Sequence, residues 1–139
     1  MPEKINRLTH KSFKPYGIIV DSKCANDDGQ RNCFGILLAE PSQGWRIGYL
    51  IVRERLIKRL ESHADSLETF EPVKGRAILA VAPHNKPQRL KIFLLDKPVV
   101  LKKGVWHDVA AVSKKAEIKI FENIEVKTEY KIPGNRVKI

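Results

Sequence analysis

Short apolar runs separated by turn residues recur along the whole chain. Thr9 to Gly17 predicts a single helical turn closing at the Pro15-Tyr16-Gly17 corner, with Thr9 or Ser12 as its cap. Gly17-Ile18-Ile19-Val20-Asp21 then reads as a short strand. Asn26 to Gln30 reads as a turn cluster, Cys33 to Ala39 as the next apolar strand, and Pro41-Ser42-Gln43-Gly44 as another turn. Between Ile51 and Leu60 two readings stand. Ile51, Val52, Leu56, Ile57 and Leu60 fit a basic amphipathic helix. A two-residue period fits as well, with Ile57, Arg59, Glu61 and His63 on one face and Leu56, Lys58 and Leu60 on the other.

The downstream pattern favours strands. Arg76 to Ala82 is a short β-rich run that stops at Pro83-His84-Asn85-Lys86-Pro87, and Leu90 to Leu95 alternates before turning at Asp96-Lys97-Pro98. Val99 to Lys102, Trp106 to Val112, Glu117 to Phe121 and Ile124 to Tyr130 follow at close spacing. Many short strands without a βαβ rhythm predict an all-β antiparallel barrel or sandwich, preceded by one short helical segment. No repeat or linker divides the chain, so a single domain over 1–139 is expected, with 132–139 as a loose tail.

Composition narrows the function classes. The 139 residues, 42% hydrophobic and 30% charged, suit a globular domain with its own core. No apolar run is long enough to cross a bilayer as a helix, and Met1 to Lys4 opens no signal peptide, so a cytoplasmic protein with no membrane partner is expected. The formal charge of +10 comes from basic residues spread along the chain, and neither a basic helix, a zinc-finger spacing nor a paired-aromatic RNA motif accompanies it. The expectation is therefore no nucleic-acid partner, with the basic charge available to an anionic small molecule. Cys24 and Cys33 lack the further cysteines of a zinc set, and Cys33, opening an apolar segment, reads as a buried small hydrophobe.

Two clusters carry candidate chemistry. In Glu61-Ser62-His63, alternate positions of a strand put the carboxylate and the imidazole on one side, and Glu68 follows after a turn-sized gap that can return it opposite them. In Gly104-Val105-Trp106-His107 the glycine permits a tight corner that starts a strand with His107. Two imidazoles and a carboxylate converging in a small barrel can bind a divalent metal or act as a metal-free acid/base group. Each histidine can equally be a hydrogen-bonded structural residue, Trp106 a core residue, and Glu68 or Glu71 part of a solvated strand face. His10 and His84 sit in turn-like contexts.

At these two clusters the sequence resembles the bacterial ureidoglycolate lyase family, a branch of the cupin superfamily. Leu8 to Gly17 is similar to that family's opening Leu-Thr, aromatic and Gly segment. Glu61-Ser62-His63 and Phe70-Glu71-Pro72 fall where the family has Glu-Arg-His and then Phe-x-Pro. Ala77 to Ala82 and Gly104-Val105-Trp106-His107 match its apolar strand and its Gly-x-Trp-His, and the ordered match runs over about residues 8 to 126. The resemblance implies a cupin barrel of two facing antiparallel sheets, jelly-roll-like, with its site inside, and a homodimer. It implies cleavage of ureidoglycolate to glyoxylate and urea without a required cofactor. On it, His63 and His107 are the acid/base candidates, with Glu61 or Glu68 orienting or charging one of them. Arg59 or Lys102 faces the carboxylate of the small anionic substrate, and Phe70 and Trp106 line its site. The family's Gln is Glu68 here, its His-Pro after Trp-His is Asp108-Val109, and its Asp/Glu-Arg pair near the last strands is not evident around Phe121-Glu122-Asn123. The change to Glu68 motivates a second reading, a metal-dependent cupin enzyme with His63, Glu68 and His107 as ligands. A non-catalytic metabolite- or sugar-binding cupin is the third.

Overall fold

The computed structural model describes residues 4–25, 27–133 and 137–138. The elements run β1 (Ile5–Asn6), α1 (His10–Phe13), β2 (Gly17–Ile19), a 3-10 turn (Ser22–Ala25), β3 (Trp45–Val52), β4 (Leu56–Ile57), β5 (Leu60–Ser62), β6 (Glu68–Lys74) and β7 (Ala77–Ala82). They continue with β8 (Lys91–Leu94), β9 (Val99–Leu101), β10 (Trp106–Ala111), β11 (Ala116–Asn123), β12 (Glu129–Lys131) and β13 (Val137–Lys138). Two sheets face one another. The first has the order β1-β8-β7-β10-β5-β12 and the second β2-β9-β6-β11-β3, while β13 pairs with β4. The ladders are antiparallel except β1 with β8.

Alternation decides what each strand buries. Ala77, Leu79 and Val81 of β7 enter the core between the sheets with Phe13, Phe70, Phe93, Leu101 and Ile118. Ile78, Ala80 and Ala82 of the same strand point the other way, into a second cluster with Ile57, Leu60, Ile92, Trp106 and Ala110. Burial on both faces explains why the Ala77–Ala82 run is apolar throughout. Each large core side chain contributes about 1.5–3 kcal/mol by leaving water. Thr9 and Ser12, each a candidate cap in the sequence, cap α1 together. Ser12 N donates to Thr9 Oγ1 at 3.0 Å, and Thr9 N donates to Ser12 Oγ at 3.1 Å.

Several expectations change. Residues 51–60 form no helix but short strand pieces, the end of β3, β4 and the start of β5, and the two-residue period breaks at Lys58-Arg59. Ile57 and Leu60 both enter the second cluster, and only from Leu60 onward does alternation send Glu61 and His63 inward. Cys33 to Ala39 joins no ladder. It crosses the outer face of the second sheet, beside Thr69, Val100 and Phe121, and so runs over side chains instead of along a strand edge. Cys33 is accordingly half-buried, with Sγ 3.0 Å from Asp27 Oδ1, and lies outside the core. Of the strand expected over Ile124 to Tyr130, only Glu129–Lys131 pairs. In the segment expected as a loose tail, Val137–Lys138 pair with Leu56–Ile57, and 134–136 and 139 lie outside the described residues. Among the described residues no helix is long and apolar enough to cross a membrane.

Candidate active site

Strand register brings the inward carboxylates and imidazoles to one part of the barrel. His107 on β10 stands opposite Glu61 on β5, and Glu68 on β6 stands opposite Glu122 on β11. The turn before β10 holds the first pair in place. Gly104, at φ 84°, donates its N–H to His63 O at 2.8 Å, and Ser62 Oγ donates to Gly104 O at 2.8 Å. A side chain at 104 would strain this corner, which is the local reason for glycine there.

Glu68 is the centre. Its Oε1 lies 3.2 Å from His63 Nε2 and 3.0 Å from His107 Nε2, and all three side chains are buried. His107 Nδ1 lies 3.0 Å from Val105 O. A carbonyl only accepts, so Nδ1 carries the proton, and in the neutral ring Nε2 presents a lone pair to a carboxylate oxygen. Glu68 Oε1 and His107 Nε2 are in fact left without a hydrogen bond of good geometry. Either an added proton or a cation resolves that opposition. His63 has Thr128 Oγ1 3.2 Å from Nδ1 and Glu61 Oε2 3.9 Å from Nε2, and its ring centroid stands 5.0 Å from that of His107.

Electrostatics separates the roles. Burial works against ionisation of Glu68, but His107 and His63 outweigh it and hold the carboxyl down at about 2. Burial also disfavours the His63 cation, yet the Glu68 carboxylate prevails and raises the imidazole above its ordinary range. Glu122 is raised by burial and by the charge of Glu68, against the pull of Arg46. Asp108 is pushed up to about 6, chiefly by burial, with the Val109 backbone N–H opposing and the charge of Glu61 adding to the rise.

A cavity of about 350 Å³ opens beside the cluster, lined by Arg46, Glu61, His63, Glu68, Glu122 and Tyr130 among others. Of the residues expected from sequence, Glu61, His63 and Glu68 line it. His107 stands behind Glu68, and Phe70 supports it from the core at a centroid distance of 5.5 Å. Arg59 sits near the rim, 3.7 Å from Glu61 and 4.2 Å over the Tyr130 ring. Two expected residues lie elsewhere. Lys102 is exposed in the β9–β10 turn, and Trp106 faces the second cluster, stacked on His84 and donating to its carbonyl. Trp106 neighbours His107 on a strand, so one points out when the other points in.

Sequence reasoning missed Arg46. Its Nε and Nη2 bond Glu122 Oε2 at 2.9 and 2.7 Å, so an acid–arginine pair does occur at Glu122, assembled across strands instead of along one. The available signal was alternation in β3, where Arg46, Gly48, Leu50 and Val52 share the inward side. The metal reading also finds donors. Ligand atoms of His63, Glu68 and Glu122, and separately of Glu61, His63 and His107, lie within 4.8 Å of one another. The unpartnered Glu68 Oε1 and His107 Nε2 are atoms that a divalent cation would satisfy, so these residues fit one.

No family model matches the chain. Among curated proteins, ureidoglycolate lyase of Rhizobium etli (strain CIAT 652) is 28% identical over 126 residues, covering 77% of this chain and 76% of that protein. Among solved structures, procruciferin, an 11S globulin from Brassica napus, superposes with a TM-score of 0.52 at 12% identity over 81% of this chain. The barrel is of the cupin type. A mutant of Bacillus subtilis oxalate decarboxylase aligns over 64% of the chain at 11% identity and a TM-score of 0.47. This cupin barrel spans 30% of the procruciferin chain and 24% of the decarboxylase chain.

Proposed function

We propose that the chain is a carbon–nitrogen lyase that cleaves ureidoglycolate, or a closely related 2-hydroxy acid with a nitrogen leaving group, to glyoxylate and urea. The observation that carries this reading is the buried Glu68 carboxylate 3.2 Å from His63 Nε2, where it favours the imidazolium form, at the wall of a cavity that also contains Arg46 and Glu61. The likeness to a ureidoglycolate lyase supports it.

The reaction consumes no water, and its atoms balance within the substrate. A base removes the hydroxyl proton, the O–H electron pair forms the carbonyl, and the C–N pair leaves with nitrogen, which takes a proton to become urea. Glu61, at the cavity wall and partly solvated, is the base. His63 is the acid, since a protonated imidazole is what Glu68 stabilises. Arg46 holds the substrate carboxylate: its bonds to Glu122 use Nε and Nη2, and a guanidinium carries further N–H donors. Glu68 and His107 are positioning residues, acting through His63.

The deciding experiment incubates purified chain with racemic ureidoglycolate in chelator-treated buffer and measures glyoxylate and urea together. Equal release of both, in step with enzyme concentration, is expected. Ammonia in place of urea, or no product, overturns the reading.

A second reading rests on the unpartnered pair Glu68 Oε1 and His107 Nε2. In it His63, Glu68 and His107 hold a divalent cation, with Glu122 or Glu61 completing the set. When bound, such an ion supplies Lewis acidity to a substrate oxygen. Metal analysis of protein purified without a histidine tag, with Glu68→Gln as control, distinguishes the two. Stoichiometric metal that the variant loses favours the cation.

A further inference from the structure

The ladder between β10 and β5 is a single pair, His107 opposite Glu61. Before Glu61 the two-residue period breaks at Lys58-Arg59, so the chain leaves β10 there and no ladder continues along Asp108 and Val109 on that side. A second cavity, of about 290 Å³, occupies this gap, walled by Leu50, Arg53, Glu54, Lys58, Glu61 and Asp108 among others. It adjoins the cavity of the candidate active site, because Leu50 and Glu61 belong to the walls of both. Leu50 comes from β3, an edge strand of the second sheet, and Glu61 from β5 of the first. The charges around the second cavity are unequally employed. Lys58 pairs with Glu54 at 3.1 Å, and Arg59 lies against Glu61 and the Tyr130 ring. Asp108 makes no ion pair among the described residues, and there its Oδ1 accepts from Val109 N–H while Oδ2 has no hydrogen-bond partner. Arg53 also makes no ion pair among the described residues, but it is exposed and solvated, whereas Asp108 is half-buried.

We propose that the substrate is larger than ureidoglycolate: a 2-hydroxy acid whose ureido group carries a short amine tail, which passes between Leu50 and Glu61 into the second cavity and binds Asp108. The reacting end is that of the lyase reading, on which this inference rests. Size is the first argument. Cavities of about 300–1,000 Å³ suit drug-sized ligands, so the first, at about 350 Å³, already has room for more than ureidoglycolate, and the second adds to it. Direction is the second. Arg46 and Leu50 stand four residues apart on β3, about 13 Å at the rise of an extended strand. With the carboxylate at Arg46 and the leaving nitrogen at His63, a substituent on the far ureido nitrogen points along β3 to the divide formed by Leu50 and Glu61. Charge is the third, since a half-buried carboxylate without an ion pair favours an ammonium over a neutral or anionic end. The bonds that change are those of the parent reaction. The O–H and C–N bonds break, the carbonyl of glyoxylate and an N–H of the substituted urea form, and the tail takes no part.

The test measures kcat/KM of the full chain for ureidoglycolate and for three derivatives substituted on the far nitrogen with aminoethyl, propyl or carboxymethyl. Aminoethyl and propyl match in length and differ in charge. The aminoethyl compound is expected to exceed both ureidoglycolate and the propyl compound by about 10-fold or more, the size of a charge-assisted hydrogen bond. Asp108→Asn is expected to erase the preference for aminoethyl over propyl. Leu50→Phe narrows the divide and is expected to lower both tailed compounds by about 10-fold relative to ureidoglycolate on the same protein. Each readout is a ratio within one protein, so partial loss of folded material cancels. Cleavage of ureidoglycolate with no gain from the amine tail overturns the inference and leaves the lyase reading standing. Preference for the carboxymethyl tail overturns it as well, by giving the cavity to Arg53. If nothing is cleaved, the lyase reading falls, and calorimetry decides the second cavity by itself. Oxalurate, which has a carbonyl in place of the carbinol and cannot react in this way, is compared with its aminoethyl derivative. Tighter binding of the derivative that Asp108→Asn abolishes supports the amine site, and equal binding or none overturns it.

Discussion

Phe13, Tyr16 and Phe93 meet inside the barrel with ring centroids 5.2 to 6.0 Å apart, and Phe93 is completely shielded from water. Glu68, His63 and His107 meet in another part of the same interior and are shielded almost as well. Burial is therefore alike in the two places, and its cost is not. The aromatic trio gains contact energy and gives up only the hydration of the Tyr16 hydroxyl, whereas each ionised group of the polar trio gives up hydration that only its oppositely charged partners make good. Such a cluster holds only while its charges are all present, and that mutual dependence beside a cavity locates the chemistry.

Separate substitutions make the contrast measurable. His63→Asn removes the proposed proton donor, and kcat for glyoxylate release is expected to fall by about 10²–10⁴ while the fold persists. Wild-type turnover would remove His63 from the mechanism. Phe93→Ala is expected to do the opposite. Urea unfolding should show a loss of about 3–5 kcal/mol, while activity per folded molecule stays within a few-fold. An equal activity loss in both variants would mean that the two regions are not independent.

Much of this geography was legible before any coordinates. The short strands from Arg76 to Phe121 announce themselves by alternation and by proline and glycine punctuation, and Glu61 with His63 follows from the two-residue period once a strand is assumed. Register was not legible. Which residue of β3 lies across from Glu122 depends on a ladder between strands far apart in sequence, so Arg46 stayed hidden while the nearer Arg59 and Lys102 drew attention. Trp106 shows the complementary limit, because its side is set by which neighbour of the Trp-His pair enters the barrel. Cys33 to Ala39 looked like a strand because it is apolar and extended. Composition carries no information about whether a free edge is waiting.

Arg46 gives a smaller effect with a distinct signature. A residue that anchors the substrate carboxylate contributes to binding before the transition state, so Arg46→Gln is expected to raise KM by about 10–100-fold with kcat changed far less. A change confined to kcat would return the anchoring role to Arg59 at the rim.

Glu68→Gln tests the link between the buried carboxylate and its acid. With the carboxylate gone, burial acts on His63 unopposed, so the imidazole should lose its proton at lower pH. The alkaline limb of the kcat profile is expected to move down by about one unit or more, and activity lost at pH 8 should return in part near pH 6. The same coupling shapes stability. The raised His63 stabilises the fold below the unfolded imidazole value and ceases to do so as pH rises through its folded value. Glu68, lowered to about 2, stabilises above the unfolded carboxyl value, and that contribution goes as pH falls through the folded one. An unaltered limb in the variant would show that Glu68 does not govern the acid.

Asp108 is the useful counterexample, a half-buried carboxyl next to the cluster that makes no ion pair among the described residues, so that the more distant charges of His107 and Arg59 only partly offset its burial. Its Oδ1 accepts from the Val109 N–H, and burial with the nearby charge of Glu61 still leaves it titrating at about 6. Here the sign is reversed relative to Glu68. The folded state holds the proton more tightly than the unfolded chain does, so stability falls as pH rises from the unfolded value toward about 6, and the loss stays in place above that. Asp108→Asn keeps an oxygen for Val109 and removes the charge. At pH 8 it is expected to stabilise the protein by about 1–2 kcal/mol after allowance for solvent screening, and at pH 3.5, where the native carboxyl is already neutral, to change little. Melting temperatures of the two proteins at both pH values measure the difference directly. A gain at pH 8 sets an unpaired buried charge against the paired one at Glu68 within a single barrel, and no gain would mean that water reaches Asp108 well enough to solvate it.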